Sequence, residues 1–120
     1  MQLQLRIDVE KLAYPGTRQV GTTGHKQAIE YLKGRMLQAE LEPYSGDSFE
    51  LPYQVESTQY INLAGILPGI DRSLEPILLI AHYDTCGDQP GADDNAAAIA
   101  IWLDVVEALQ NLSLQRDMLI

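Results

Sequence analysis

The 120-residue sequence predicts an α/β fold, with a mixed sheet flanked by helices. Three stretches predict it. Pro76 to Ala81, PILLIA, is a nearly continuous aliphatic run, the pattern of a strand covered on both faces. His25 to Leu41 lies before that run and Asp93 to Gln110 after it, and both repeat apolar residues at helical spacing.

At the amino end, Met1 to Leu12 alternates polar and apolar residues. It has no basic start leading into an apolar run, so it does not read as a signal peptide, and the expected compartment is cytoplasmic by default. Asp8 to Ala13 reads as a short helix, closed where Tyr14-Pro15-Gly16 forces a turn. A loop runs on to Gly24. From His25 to Leu41, Ile29, Leu32, Met36 and Ala39 form one apolar stripe, with Lys26, Glu30, Lys33 and Glu40 on other faces.

Pro43 stops that helix. Ser48 to Val55 reads as a strand that Pro52 confines to an edge, and Tyr60 to Leu67 as a second strand, ended by Pro68-Gly69. Asp71 to Glu75 is a polar connection before the Pro76 to Ala81 run, which is expected to be a central strand. The helix from Asp93 to Gln110 turns Ile99, Trp102, Val106 and Leu109 to one side. Asp117 to Ile120 looks like the opening of another strand. No repeat, low-complexity segment or linker divides the chain, so residues 1–120 are expected to form one domain.

The balance of 17 acidic against 8 basic residues gives a formal charge of −9 without a Lys/Arg cluster. Such a surface repels phosphate backbones and anionic lipid, so neither nucleic acid nor membrane is expected as a partner. The apolar stretches near Ile77 to Ala81 and Ala96 to Leu103 are far too short to cross a bilayer. Cys86 is the single cysteine, which excludes an internal disulfide, and it is expected to be a small buried apolar residue.

The chemistry is concentrated after the aliphatic run. His82 and Asp84 stand two residues apart, and the period of an extended chain points both side chains the same way. Carboxyl ends of strands are where α/β sheets bind ligands. A carboxylate beside an imidazole fixes its tautomer and raises its basicity as a metal ligand. Pro90-Gly91-Ala92-Asp93-Asp94-Asn95 then leads into a helix begun by small residues. The glycine lets the backbone approach closely, and Ala96, Ala97, Ala98 and Ala100 let the helix pack tightly. Helix capping would account for one of these carboxylates, but one cap does not need two adjacent ones.

Together, His82, Asp84, Thr85, Pro90, Gly91, Ala92, Asp93, Asp94, Asn95 and Ala96 resemble the signature of metallopeptidase family 28, the aminopeptidases with co-catalytic zinc ions. Arg18, Gly21 and Gly24, and the segment NLAGILPG from Asn62 to Gly69, look like the parts that precede the metal strand in that family. The resemblance implies a three-layer α/β/α, phosphorylase/hydrolase-like zinc-exopeptidase fold. It implies that His82 binds one of two zinc ions, that Asp94 bridges both, that Asp84 is the catalytic-site carboxylate holding the His82 imidazole from behind, and that the Asp94–Asn95 peptide is cis. It implies peptide or protein N-termini as substrate, cleaved by metal-activated water. The family's paired glutamates, third acidic ligand and distant histidine find no counterpart here: Glu10 and Glu107 are isolated, and His25 is expected to be exposed. The expectation is therefore a chain truncated at its carboxyl end, inactive alone and binding zinc weakly, with a sheet edge open to a homo-oligomer. Two other readings stand beside it: a single-zinc glutaminyl cyclase on the same fold, and a non-catalytic remnant serving as a binding module.

Overall fold

A computed structural model describes residues 2–120. Helix α1, Gln2–Ala13, begins well before the Asp8 start that the sequence suggests. Its polar and apolar residues alternate, yet Gln4 reaches Asp8 at 3.1 Å and Arg6 reaches Glu10 at 2.7 Å, both at the i,i+4 spacing of neighbours on a helix. The helix buries Asp8 and Leu12. Tyr14 and Pro15 form the turn that ends it.

Helix α2, Thr23–Gln38, is capped by Thr22, whose hydroxyl accepts the His25 N–H at 3.2 Å. A two-residue strand β1, Glu42–Pro43, follows, then the hairpin of β2, Glu50–Val55, and β3, Thr58–Leu63. Among the described residues the two hairpin strands pair only with each other, and Tyr53 stacks on its cross-strand partner Tyr60 with ring centroids 5.4 Å apart. The expected strand from Tyr60 to Leu67 is in fact two. Ala64 breaks it, leaving β3 in the hairpin and β4, Gly65–Leu67, in the main sheet.

Strand β5, Ile77–Leu78, and strand β6, Met118–Leu119, complete a four-stranded mixed sheet in the order β1-β4-β6-β5. β6 lies antiparallel to β4 and parallel to β5, so the final residues do open a strand. β5 is an edge, not the expected central strand. Its aliphatic run is inward on one face only: Leu79, Ala81 and Tyr83 are partly covered, whereas Ile77, Leu78 and Ile80 are exposed. The reason is topological, since β6 is its single ladder partner among the described residues and nothing described packs on its outer face.

Residues Ala92–Ala97 form a kinked turn that runs into helix α3, Ala98–Leu109. The single long helix expected from Asp93 is thus interrupted, with Asp94 and Asn95 outside helical geometry. Two apolar clusters hold the helices on the sheet. One gathers Met36, Leu41, Phe49, Leu67, Val106 and Ile120, the other Leu12, Ala28, Leu32, Ala96, Ile99 and Leu103, and Trp102 packs against both. No described helix is long and apolar enough to cross a membrane.

Candidate metal centre

Past β5 the chain stays on the sheet's carboxyl side, and residues of alternate parity face opposite ways. Tyr83 turns inward. His82 turns out and meets both carboxylates that the sequence singles out. Its Nδ1 lies 3.3 Å from Asp84 Oδ1, and its Nε2 lies 3.0 Å from Asp94 Oδ1. The three side chains are 54%, 49% and 86% exposed, and exposed ion pairs of this kind contribute little to stability. Something else must hold them in place.

The buried guanidinium of Arg18 does so. It donates to Tyr83 O and Leu12 O at 2.8 Å, to Pro90 O at 2.5 Å and to Gly91 O at 2.9 Å. One side chain therefore ties α1, the segment bearing His82 and the turn bearing Asp94. The Arg18 main-chain N–H donates to Thr85 Oγ1 at 2.7 Å, and Thr85 N–H returns to Arg18 O at 3.3 Å. Burial pulls the Arg18 pKa down, while Asp84 and Asp94 push it up, so the guanidinium is a buried positive charge behind two carboxylates. Gly91 has φ 58°, and a Cβ there would run into Thr85 Cγ2, Asp94 O and Arg18 Nη2. The Asp94–Asn95 peptide is cis, as the resemblance implies, and Asn95 Nδ2 donates to His82 O at 3.4 Å.

His25 corrects an expectation. It is buried, not exposed, and stacks on Tyr83 with centroids 5.3 Å apart and planes 12° from parallel. Burial lowers its pKa, with Asp84 opposing, and this favours the neutral ring. Burial also pushes the Tyr83 phenol up to about 12, reinforced by Asp84. That phenol donates to Ile61 O at 2.6 Å. Cys86 is exposed, contrary to the small buried residue expected of it. Glu107 binds Arg35 at 2.6 Å and Glu10 binds Arg6, so neither reaches His82.

The His82–Asp94 pair has the dimensions of two ligands on one tetrahedral zinc. Donors each about 2.0 Å from such an ion stand roughly 3.3 Å apart. The Asp84 carboxylate takes the other ring nitrogen, the usual partner of a metal-bound histidine. No group of three or more His, Cys, Asp or Glu side chains placed to hold a metal occurs among the described residues.

The family model of Peptidase family M28 matches residues 62–120. That match is consistent with the amino-terminal portion of a member of the family. The match begins in β3 and takes in β4, β5, the segment bearing His82 and Asp84, the kinked turn bearing Asp94, α3 and β6. Among curated proteins there is no significant match. Among solved structures, a Porphyromonas gingivalis glutaminyl cyclase superposes with a TM-score of 0.76 at 18% identity, covering 100% of this chain and 44% of that one. A Tannerella forsythia glutaminyl cyclase gives 0.72 at 21%, covering 100% and 46%. At these identities the likeness establishes the fold, the α/β zinc-exopeptidase fold of family M28, over the whole chain. The chain spans less than half the length of either structure.

Proposed function

We propose that this chain supplies the first zinc ligand and the bridging carboxylate of a metallo-aminopeptidase site. The observation that carries the reading is the placement of Asp94 Oδ1 at 3.0 Å from His82 Nε2 while Asp84 stands at the opposite ring nitrogen. In that arrangement Asp84 accepts the Nδ1 proton, leaving the Nε2 lone pair directed at the metal position beside Asp94. A zinc ion held there would polarise the scissile carbonyl and acidify water. Asp94 brings negative charge toward the cations and Arg18 holds its turn, while Asp93 is a neighbour without a role as ligand. Peptide or protein N-termini are the proposed substrate class. Zinc prefers about four donors and this chain offers two, so the isolated chain should bind the metal weakly and leave peptides intact.

Zinc titration by calorimetry, with the wild type against His82→Ala and Asp94→Ala, tests the reading. Each substitution should weaken binding about tenfold or more. Equal binding in all three would show that the pair is not a metal site. A glutaminyl-cyclase-like reading is favoured by the two structural neighbours, both glutaminyl cyclases. It uses one zinc where the aminopeptidase uses two, so metal stoichiometry in a complex with the complementary half of such a site separates them.

A further inference from the structure

Helix α1 meets the turn that bears Asp94 by two routes. The first is apolar: Leu12 and Val9 pack in one cluster with Ala96 and Ile99, and Ala96 follows Asp94 by two positions. The second is polar. Arg18 Nη1 donates to Leu12 O at 2.8 Å, near the end of α1, and the same guanidinium holds Pro90 O and Gly91 O at the start of the turn. Gly91 O in turn accepts the Ala96 N–H at 3.1 Å, closing the turn on itself. The Asp94 side chain is 86% exposed, so its place is set from this inner side.

The helix is itself fastened at one deep point. Buried Asp8 accepts Arg35 Nε at 2.9 Å on one carboxylate oxygen and Arg35 Nη2 at 3.1 Å on the other, and Tyr31 Oη and Gln4 Nε2 also donate to the first oxygen. Arg35 binds Glu107 as well, at 2.6 Å, so one guanidinium of α2 joins α1 to α3. Elsewhere α1 sits loosely. Asp8 and Leu12 are its two buried residues among those described. A groove of about 390 Å³, lined by Leu5, Val9 and Glu10 on one side and by Ala97, Ala100 and Ile101 on the other, separates it from the start of α3. Local opening is easiest in a segment anchored so sparsely.

We propose that α1 is a brace for the Asp94 turn, latched by the Asp8–Arg35 pair, and that docking of the helix and closure of the turn form one cooperative unit. Releasing the latch takes Leu12 O away from Arg18 and uncovers Ala96, so the turn loosens and Asp94 leaves its 3.0 Å distance from His82. The coupling runs both ways, because a coupling free energy is reciprocal: disturbing the turn loosens α1 as well. Whatever moves α1 then moves Asp94, although the helix carries none of the three site side chains. The device is a property of the chain without metal, so it stands or falls apart from the metal reading.

The test is native-state amide exchange on the full chain without added metal, read at Glu10 to Leu12 in α1, at Ala96 in the turn, and at Ile29 and Leu32 in the buried stripe of α2. In the wild type, α1 and Ala96 should share one degree of protection and one urea dependence, both below those of Ile29 and Leu32. Asp8→Asn keeps the shape of the side chain and removes the charge that Arg35 faces. It should quicken exchange in α1 about tenfold or more, and at Ala96 by the same factor. In Gly91→Ala the disturbance begins in the turn, and α1 should quicken together with Ala96. Gln4→Ala leaves the ion pair intact and removes only one bond to Asp8; it should give the same paired response at about threefold, and it carries the test if Asp8→Asn does not fold. An Ala96 amide that keeps its wild-type rate while α1 quickens would overturn the brace. So would wild-type protection of α1 and Ala96 equal to that of Ile29 and Leu32, since the chain would then open only as a whole.

Discussion

At the scale of single residues, the histidine and the two aspartates were legible in the sequence and the residue that positions them was not. His82, Asp84 and Asp94 announce themselves by spacing, whereas Arg18 lies 64 positions or more upstream and has no charged partner in its direct hydrogen bonds. Its role is visible only once four carbonyls converge on it. Arg18→Met should leave several of them without donors, at about 1–3 kcal/mol each where water cannot reach, so a loss of about 3 kcal/mol or more is expected in urea unfolding. Arg18→Lys should restore little of it, because an ammonium cannot span the same four acceptors. His25 was misread for a related reason: the sequence shows a polar residue at a helix start and cannot show Tyr83 stacking over it. Its folded pKa lies below the unfolded value near 6.5, so the unfolded chain binds the proton more readily. Stability is then full above about pH 6.5 and falls as the pH drops from there through the folded pKa. His25→Phe should flatten that part of a stability-against-pH curve, and an unchanged slope would remove His25 as its source.

At the scale of elements, periodicity located the helices and misplaced the layers. The stripe of Ile29, Leu32 and Met36 found α2, since those residues share one face whatever the rest of the chain does. Apolar content in Pro76 to Ala81 could not tell a central strand from an edge, because that depends on which strands arrive beside it. The break at Ala64 was hidden for the same reason, as both halves of the Tyr60 to Leu67 run are good strand sequence. The turn before α3 was half legible: small residues and carboxylates marked it, but not the kink at Asp94 and Asn95. Gly91 is the residue on which that turn depends. Gly91→Ala should cost about 1–3 kcal/mol, from the positive φ and the contacts a Cβ would make with Thr85, Asp94 and Arg18. It should also weaken zinc binding as His82→Ala does, since the Asp94 carboxylate would move. Wild-type stability and wild-type zinc affinity in that variant would show that the turn tolerates a side chain and that its shape does not set the site.

For the whole molecule, two features oppose each other. The outer face of β5 and the residues after it presents Leu78 and Ile80, at 59% and 76% exposure, with Ile77 also 51% exposed, beside a strand edge unpaired among the described residues, the arrangement that invites pairing with a second copy. The formal charge of −9 on each copy resists that pairing at long range. Screening acts on the charge and leaves the apolar contact intact, because the Debye length falls from about 30 Å at 0.01 M salt to about 8 Å at 0.15 M. Self-association through this edge is therefore expected to strengthen with sodium chloride, the opposite of a contact built on ion pairs. Sedimentation velocity across that range should show a rising share of dimer. Ile80→Lys, which places a cation on the exposed face without touching the inward-facing Leu79 and Ala81, should abolish the rise while leaving unfolding within about 0.5 kcal/mol of wild type. A dimer that weakens with salt, or one that persists in Ile80→Lys, would place the interface elsewhere on the molecule.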